Sequence, residues 1–290
     1  MDKLDCLERA ELPDGARLSV TWPPVVRVPV FCIRKAPDTS KRYTSQSFIK
    51  TGAATEDMME LSGILVKGLC NEVALGATGS SKTTFNRIVI EEHTQKERVF
   101  GIGDSRELNP IHPHYIAMQT VPRNEKPIGC DELIAQVLTM RPDRIIMEEM
   151  RNSVEAGGFI KIISHGHDGA LGSGHAKNPY NFMNLMVVWM QENGMKVEEH
   201  FIRQMLHDAL DWLVFFKRLK DGNRKVMSMW EVLPYEKDND GFNRLFYYDV
   251  EQKKHIQCGK LTERTYQRCL ENDIVIPEKY VKRTKGVVHA

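Results

Sequence analysis

Long uncharged apolar runs are missing from this 290-residue sequence. The longest, around Met183–Met190, is far shorter than the roughly 18 residues that a membrane-spanning helix requires. The N-terminal residues MDKLDCLERAELPDG contain acidic side chains and lack the apolar core of a secretory signal peptide. We therefore expect a cytoplasmic protein whose contact with any membrane is peripheral.

Paired cysteine motifs and an excess of one charge are also missing. The six cysteines are scattered and no two form C-x-x-C, which argues against a zinc ribbon or a redox dithiol and favours buried thiols in a reducing compartment. The formal net charge is only +1, which gives no bulk attraction to DNA or to an acidic membrane surface. Direct nucleic-acid binding is therefore not expected.

The chain does contain the periodicity of a mixed α/β protein. Residues 12–35 alternate short apolar stretches with turn residues, which predicts small strands. A polar, Pro/Ser/Thr-bearing stretch follows and predicts a linker, which we place at residues 39–50. From Phe48 to about Gly222, apolar strands alternate with helical patterns, which favours a mostly parallel sheet. We divide the chain into residues 1–38, the linker, and a large domain over residues 51–290.

The C-terminal third has patterns of its own. Met195–Leu219 carries apolar residues at helical spacing and ends in an apolar run, which predicts a helix that leads into a strand. Val226–Val250 resembles a hairpin that turns at Asp238–Gly241, and a polar helix is predicted near Thr262–Glu271.

The clearest functional feature is the segment Gly76–Thr84, GATGSSKTT. Val73–Leu75 before it can form a buried strand, and Phe85–Glu92 after it can form a helix. In a strand–loop–helix of this kind, backbone N–H groups hold phosphates, Lys82 adds a positive charge, and the Thr83 hydroxyl binds Mg²⁺. The alternative interpretation is a Gly/Ser-rich turn that happens to precede Lys-Thr.

One position of this loop departs from the G-x-x-x-x-G-K-[ST] pattern. Ser81 stands where the pattern has glycine. A Cβ at this position impedes close approach to phosphate or requires a less favourable backbone φ.

A second acidic segment, Arg141–Arg151, contains a short apolar strand that ends in two carboxylates. A carboxylate at the end of a strand beside a phosphate loop can order Mg²⁺ and polarise the attacking water. Glu149 is the candidate for that role. The alternative is a solvated strand end with a surface charge cluster.

A third segment contains three histidines and an aspartate within eleven residues, namely His165, His167, Asp168 and His175. These side chains could ligate a metal and form a metal-dependent hydrolase, although their spacing matches no standard zinc pattern. Alternatively, His175 at a strand end could hydrogen-bond a γ-phosphate or the lytic water. The third interpretation is a Gly-rich surface turn.

In this order, the segments resemble the ATPases of type II secretion, type IV secretion and type IV pili. A phosphate loop, an acidic box, a Mg²⁺-strand motif and a histidine box match at Gly76–Thr84, Arg98–Leu108, Arg141–Arg151 and Gly166–Pro179. The similarity is strongest to the tight-adherence pilus and conjugal-transfer branch, and it extends over nearly the whole chain.

This resemblance implies a RecA-like P-loop NTPase domain with a mostly parallel sheet and a C-terminal β/α extension, preceded by a shortened α+β N-terminal domain at residues 1–38. It also implies a hexameric ring that binds ATP and Mg²⁺ and hydrolyses ATP. Such a ring powers pilus assembly, protein secretion or conjugal transfer, and its partner is an inner-membrane platform protein.

The resemblance also assigns roles by position. The catalytic group would comprise Glu149, Asp104, Glu107, His175 and Arg151. Mg²⁺ would be held by Thr83 and Glu149. The nucleotide would be bound by Gly76, Ala77, Thr78, Gly79, Ser80, Ser81, Lys82, Thr83, Thr84, Arg123 and Arg144.

Several positions differ from the family motifs. Gly103 stands where the acidic box usually has Glu, and Glu148 stands where a Gly usually precedes the catalytic Glu. Two helix arginines of the family correspond to Ala135 and Thr139. Together with Ser81, these departures motivate a second hypothesis, a subunit that binds nucleotide but hydrolyses it weakly.

Overall fold

The structure of the protein is a computed structural model. It describes residues 7–13, 16–35, 42–121, 126–236, 239 and 241–282. The chain divides into two compact units, Met1–Tyr43 and Thr44–Ala290.

The smaller unit is a three-stranded antiparallel sheet in the order β1-β2-β3. Its strands are β1 (Leu7–Glu11), β2 (Arg17–Thr21) and β3 (Val30–Arg34). The rings of Trp22 and Phe31 meet edge to face with centroids 5.4 Å apart. The described residues of this unit form strands and turns but no helix, whereas the family resemblance led us to expect an α+β arrangement there.

The larger unit alternates helices and strands before a run of antiparallel strands. Its helices are α1 (Ser45–Lys50), α2 (Glu56–Lys67), α3 (Lys82–His93), α4 (Cys130–Leu138), α5 (Ser153–Ser164), α6 (Pro179–Glu192), α7 (Glu199–Ala209) and α8 (Glu263–Glu271). Its strands are β4 (Glu72–Gly76), β5 (Val99–Gly103), β6 (Tyr115–Gln119), β7 (Arg144–Met150), β8 (Leu171–Gly174), β9 (Trp212–Arg218), β10 (Arg224–Val232), β11 (Phe242–Asp249) and β12 (Lys254–Gln257).

These nine strands form one sheet in the order β12-β11-β10-β9-β4-β8-β7-β5-β6. The six strands from β9 to β6 in this order are mutually parallel, while β10, β11 and β12 are antiparallel additions. The predicted mostly parallel α/β sheet is confirmed. Because parallel strands end at the same edge, the segments that follow β4, β5, β7 and β8 meet there.

Helices cover both faces of the sheet, as a buried parallel sheet requires. Alternate residues of β4 point to opposite sides, so Ala74 joins one apolar cluster and Val73 and Leu75 join the other. The first cluster includes residues of α1, α2, α3 and α8. The second includes residues of α4, α5, α6 and α7. The sheet therefore lies between two layers of helices.

Most local predictions for the larger unit are confirmed. The predicted helix and strand over Met195–Leu219 are α7 and β9, and the predicted hairpin is formed by β10 and β11. The predicted polar helix is α8.

The linker differs from the prediction. Part of residues 39–50 forms helix α1. The polar sequence here suggested a linker, but Phe48 of this helix is buried in the core of the larger unit. Thr44 caps this helix through its side chain, which accepts from the Ser47 N–H. The helical residues therefore belong to the larger unit.

Among the described residues, no helix is both long and apolar enough to cross a bilayer.

The buried ring of Phe85 anchors α3 to the sheet, with centroids 5.2 Å from Phe216 and 6.3 Å from Trp212. Phe85→Ala should lower the free energy of unfolding by about 3–5 kcal/mol because it leaves a cavity under the helix. Urea unfolding followed by circular dichroism measures this loss. Phe201→Ala is the matched control, since Phe201 is 56% exposed and its loss should cost less than about 1 kcal/mol. Equal losses in the two variants would contradict the proposed anchor.

Candidate functional site

The glycine-rich loop lies between the end of β4 and the start of α3, as the sequence predicted. A Cβ at Gly76 would lie 2.4 Å from the Phe216 carbonyl oxygen and 2.6 Å from Ser80 Oγ. Only glycine therefore fits where the loop leaves the strand. The first N–H groups of α3 have no partner within the helix, so this end of α3 favours an anion.

Ser81 has a left-handed backbone, with φ of +92° and ψ of +16°. This region favours glycine and costs other residues roughly 1–2 kcal/mol. The prediction of a less favourable φ at this position is confirmed. The Ser81 carbonyl nevertheless accepts the first bond of α3, from the Phe85 N–H at 2.9 Å, so the loop keeps the conformation that glycine normally provides.

Lys82 is buried, and its ammonium lies inside the loop. Its Nζ donates to the carbonyl oxygens of Gly76 and Ala77 at 2.9 and 3.1 Å. Burial lowers the pKa of Lys82, while the carboxylates of Glu149 and Glu107 act against that shift. The lysine is therefore held among groups of opposite charge.

The surroundings of two polar side chains in the loop region were not predicted from the sequence. Ser80 Oγ is buried and has no hydrogen-bond partner among the described residues. Arg224, at the start of β10, donates from Nε to the Gly79 carbonyl oxygen at 2.8 Å. The sequence carries no signal for this arginine, since 145 residues separate it from Gly79 and only the β9–β10 hairpin brings it there.

Four of the predicted catalytic residues form one network at the carboxyl edge of the sheet. Arg151 pairs with both Asp104 and Glu149, with 2.6 Å from its Nε to Glu149 Oε2. His175 Nε2 lies 2.5 Å from Glu149 Oε1. Because β5, β7 and β8 are parallel, residues at or just after their ends come together although they lie far apart in the sequence.

Glu149 is held ionised by its surroundings. Burial alone would raise its pKa, but the charges of Arg151, His175 and Lys82 outweigh burial and hold the pKa of Glu149 below its usual value. The carboxylate stays ionised and can accept a hydrogen bond from a water molecule, while its lowered pKa makes it a weak base.

Glu148, its neighbour on β7, is much more buried, with 7% of the residue exposed. Burial raises the pKa of Glu148 to about 7, although hydrogen bonds from the Glu107 N–H and the Tyr115 hydroxyl oppose this shift. Successive residues of a strand face opposite sides. The two adjacent carboxylates therefore have different environments.

Arg144 does not belong to this site. It begins β7, and β7 spans six residue steps, about 20 Å, to the edge where the loop lies. The buried guanidinium donates to both carboxylate oxygens of Glu97 and to the carbonyl oxygens of Val66 and Gly169. The prediction that Arg144 binds phosphate is wrong, because its donors are satisfied inside the fold. Arg123, also predicted to contact the nucleotide, lies outside the described residues.

The histidine cluster does not form a metal site. His165 caps the end of α5, where its Nδ1 lies 2.7 Å from the Lys161 carbonyl oxygen, and Asp168 pairs with Arg268. Both precede β8, whereas His175 follows that strand at its other end. In the part of the chain that the structure describes, no group of three metal-ligating side chains converges. The metal-hydrolase interpretation is therefore wrong, and only His175 contributes to the site.

Comparison with known proteins agrees with this geometry. A family model described as "Type II/IV secretion system protein" matches residues 1–219. The chain belongs to this family. The family that the four motifs predicted is thereby confirmed.

Curated relatives include a type IV secretion system protein VirB11 from Bartonella quintana, 30% identical over 67% of this chain and 56% of that protein. A putative conjugal transfer protein from Mycobacterium tuberculosis is 36% identical over 53% of this chain and 44% of that protein. The chain thus spans about half the length of these relatives.

Solved structures show the same fold at lower identity. The VirB11 ATPase from Brucella suis, in complex with sulphate, has a TM-score of 0.55 and 23% identity, covering 80% of this chain and 78% of that one. The pilus retraction motor PilT with bound ADP has a TM-score of 0.57 and 18% identity, covering 80% of this chain and 64% of that one. These two structures therefore share the fold of this chain.

The backbone at Ser81 allows a direct test of the strain in the loop. Ser81→Gly should raise the free energy of unfolding by about 0.5–1 kcal/mol, because relief of the left-handed strain exceeds the entropic cost of glycine. Gly79→Ser is the matched opposite change. Gly79 has φ of +72° and no atom within 4 Å of a Cβ placed there, so this variant should lose about 1 kcal/mol through the backbone alone. Thermal unfolding checks both, and destabilisation by Ser81→Gly would contradict the assignment.

The buried position of Arg144 predicts a loss of stability. Arg144→Ala should lower the free energy of unfolding by about 3 kcal/mol, because two buried carbonyl oxygens lose their donor. Arg151→Ala is the matched control, since the Arg151 side chain is 35% exposed and its pairs should contribute less than about 1 kcal/mol. Urea titration of the two variants measures both losses. A larger loss of unfolding free energy for Arg151→Ala than for Arg144→Ala would overturn the buried structural role of Arg144.

Proposed function

We propose that this chain binds ATP with Mg²⁺ and hydrolyses it as a motor subunit of a type IV secretion, conjugation or pilus machine. The observation that carries the proposal is the placement of Lys82, where the loop after β4 enters α3, and of Glu149, near the end of β7, at the same edge of one parallel sheet. There each charge favours the ionised form of the other group and shifts its pKa accordingly. A phosphate-binding cation and a group that can orient water are the two requirements of nucleotide hydrolysis.

The residues present fit the nucleotide and its metal. Within the part of the chain that the structure describes, Ser80 Oγ is buried in the loop and has no hydrogen-bond partner. The loop leads into α3, whose first N–H groups favour an anion. Lys82 would bind the terminal phosphates, and Thr83 with Glu149 would hold Mg²⁺. When bound, Mg²⁺ would neutralise phosphate charge in the transition state.

The other residues act around this core. Glu149 would accept a proton or hydrogen bond from the attacking water, and His175 would orient that carboxylate through its Nε2. Arg151 is shared by Glu149 and Asp104, which keeps its charge beside the phosphates without leaving it unpaired. Glu107 and Asp104 would complete the acidic side of the site, and Arg224 would support the loop at Gly79.

The larger assembly is part of the proposal and rests on the family. We infer a homo-oligomer, a hexameric ring, that lies in the cytoplasm against the inner membrane and acts on a platform protein there. Nucleic acid is not expected to contact this chain directly, since its net charge is +1.

A second candidate is a subunit that binds ATP, assembles, and hydrolyses weakly. The strained backbone of Ser81, with φ of +92°, favours it, because a Cβ occupies the position where glycine normally lets the loop approach phosphate. Gly103 and Glu148, two further departures, also lie close to the acidic segment.

Steady-state phosphate release with MgATP separates the two candidates. If the motor proposal is correct, Lys82→Ala and Glu149→Gln should each lower turnover by roughly 100-fold or more, because each removes a group that acts on the transition state. The variants should be compared at matched oligomeric state. Lys196→Ala and Glu192→Gln are exposed controls of the same two kinds and should retain wild-type turnover.

Two results would contradict the motor proposal or the role of Glu149. An inactive wild type whose ATP binding is lost only in Lys82→Ala would reject the motor and support the weakly hydrolysing subunit. Loss of turnover in Lys82→Ala but not in Glu149→Gln would show that Glu149 is not the catalytic carboxylate.

A further inference from the structure

Two glycines on β5 leave room for side chains from both neighbouring strands. Gly101 and Gly103 are two residues apart and therefore lie on one face of β5. The Tyr115 hydroxyl, from β6, occupies the place where Gly101 would carry a Cβ. A Cβ at Gly103 would lie 3.1 Å from the Cβ and 3.2 Å from Oε2 of Glu148, from β7. The side chains of Tyr115 and Glu148 thus meet over β5 at the two glycines, where β5 carries no side chain.

The carboxyl group of Glu148 joins three segments at this point. Its Oε1 accepts from the Tyr115 hydroxyl at 3.2 Å, and its Oε2 accepts from the Glu107 backbone N–H at 3.0 Å. One buried side chain therefore ties β6 and β7 to the segment that follows β5. A buried acceptor of this kind is costly to lose, because its donors are then left without partners.

The segment held in this way, residues 104–107, forms the acidic side of the site. Asp104 binds Arg151, and the charge of Glu107 acts on Lys82. The backbone of Glu107 therefore determines where a carboxylate faces the phosphate loop.

Gly103 and Glu148 are also two of the positions that depart from the family motifs, with Gly in place of Glu and Glu in place of Gly. They lie 45 residues apart in the sequence, but a side chain at position 103 would begin 3.1 Å from the Cβ of Glu148. Either departure alone would leave this place with two carboxylates or with none. Together they leave it with one carboxylate, which originates from the neighbouring strand.

We propose that Glu148 is a positioning residue that holds the acidic segment 104–107 against the nucleotide site, and that Gly103 and Glu148 are a reciprocal exchange of one carboxylate between β5 and β7. The expected effect on turnover rests on the proposed ATPase function. The hydrogen bond from the Glu107 amide to Glu148 is independent of that function, and amide exchange can test it in protein without nucleotide.

Hydrogen–deuterium exchange of the Glu107 amide tests the positioning directly. Glu148→Ala should accelerate this exchange by about tenfold or more, while Glu148→Gln, which keeps a carbonyl acceptor, should stay within about twofold of the wild type. Tyr115→Phe is the control, since it removes the other bond but leaves the acceptor for Glu107. An exchange rate unchanged in Glu148→Ala would overturn the proposal, whatever the turnover of the protein.

Turnover of the same variants tests the consequence. Glu148→Ala should lower kcat by about tenfold with KM for ATP within about threefold, and Glu148→Gln should recover most of the loss. A general loss of structure would instead change both constants and would not be rescued by glutamine. If the wild type has no turnover, the proposed function fails, but amide exchange still decides the role of Glu148.

The exchange of positions is tested by a double-mutant cycle. Gly103→Glu should be strongly impaired, because the new side chain meets Glu148, and Glu148→Gly should lose the acceptor. In the double variant Gly103→Glu/Glu148→Gly, the Glu107 amide should exchange about tenfold more slowly than the two single-variant effects, taken as independent, would predict. Additive effects would show that the two positions are independent and would reject the exchange.

Discussion

The parallel register around β4 is the constraint on which the rest of this structure depends. β4 pairs in parallel with β8 on one side and β9 on the other, and β7 and β5 continue in the same direction beyond β8. Every chain segment that leaves these strands therefore emerges at one edge. The phosphate loop, the acidic segment, Glu149 and His175 meet because of this direction.

Charge balance explains why so many ionisable groups can share that edge. Arg151 lies between Asp104 and Glu149, and Lys82 is balanced by Glu149 and Glu107. Burial would penalise the charges of Lys82, Glu149 and Arg151, and each of these three has an opposite charge close to it. A bound nucleotide would add negative charge to this network, where Lys82 and Arg151 provide the positive charge.

The departures from the family motifs have unequal physical weight. Ser81 keeps the loop geometry at the cost of a left-handed backbone, which is local strain. Gly103 and Glu148 lie side by side on neighbouring strands, since a Cβ at Gly103 would lie 3.1 Å from the Cβ of Glu148.

The sequence by itself determined the phosphate loop, the alternation of strands and helices in the larger unit, and a carboxylate at the end of a strand, because glycine placement and apolar periodicity are local properties of the chain. The order of the four motifs, by resemblance, indicated the family. The role of Arg144, the separation of His165 from His175, the contact of Arg224 with the loop and the pairing of Gly103 with Glu148 were decided only by tertiary structure. Each of these depends on which end and which face of a strand a residue occupies relative to strands far away in the sequence. Motif spacing does not encode that register, since it is set by how the helices pack on the two faces of the sheet.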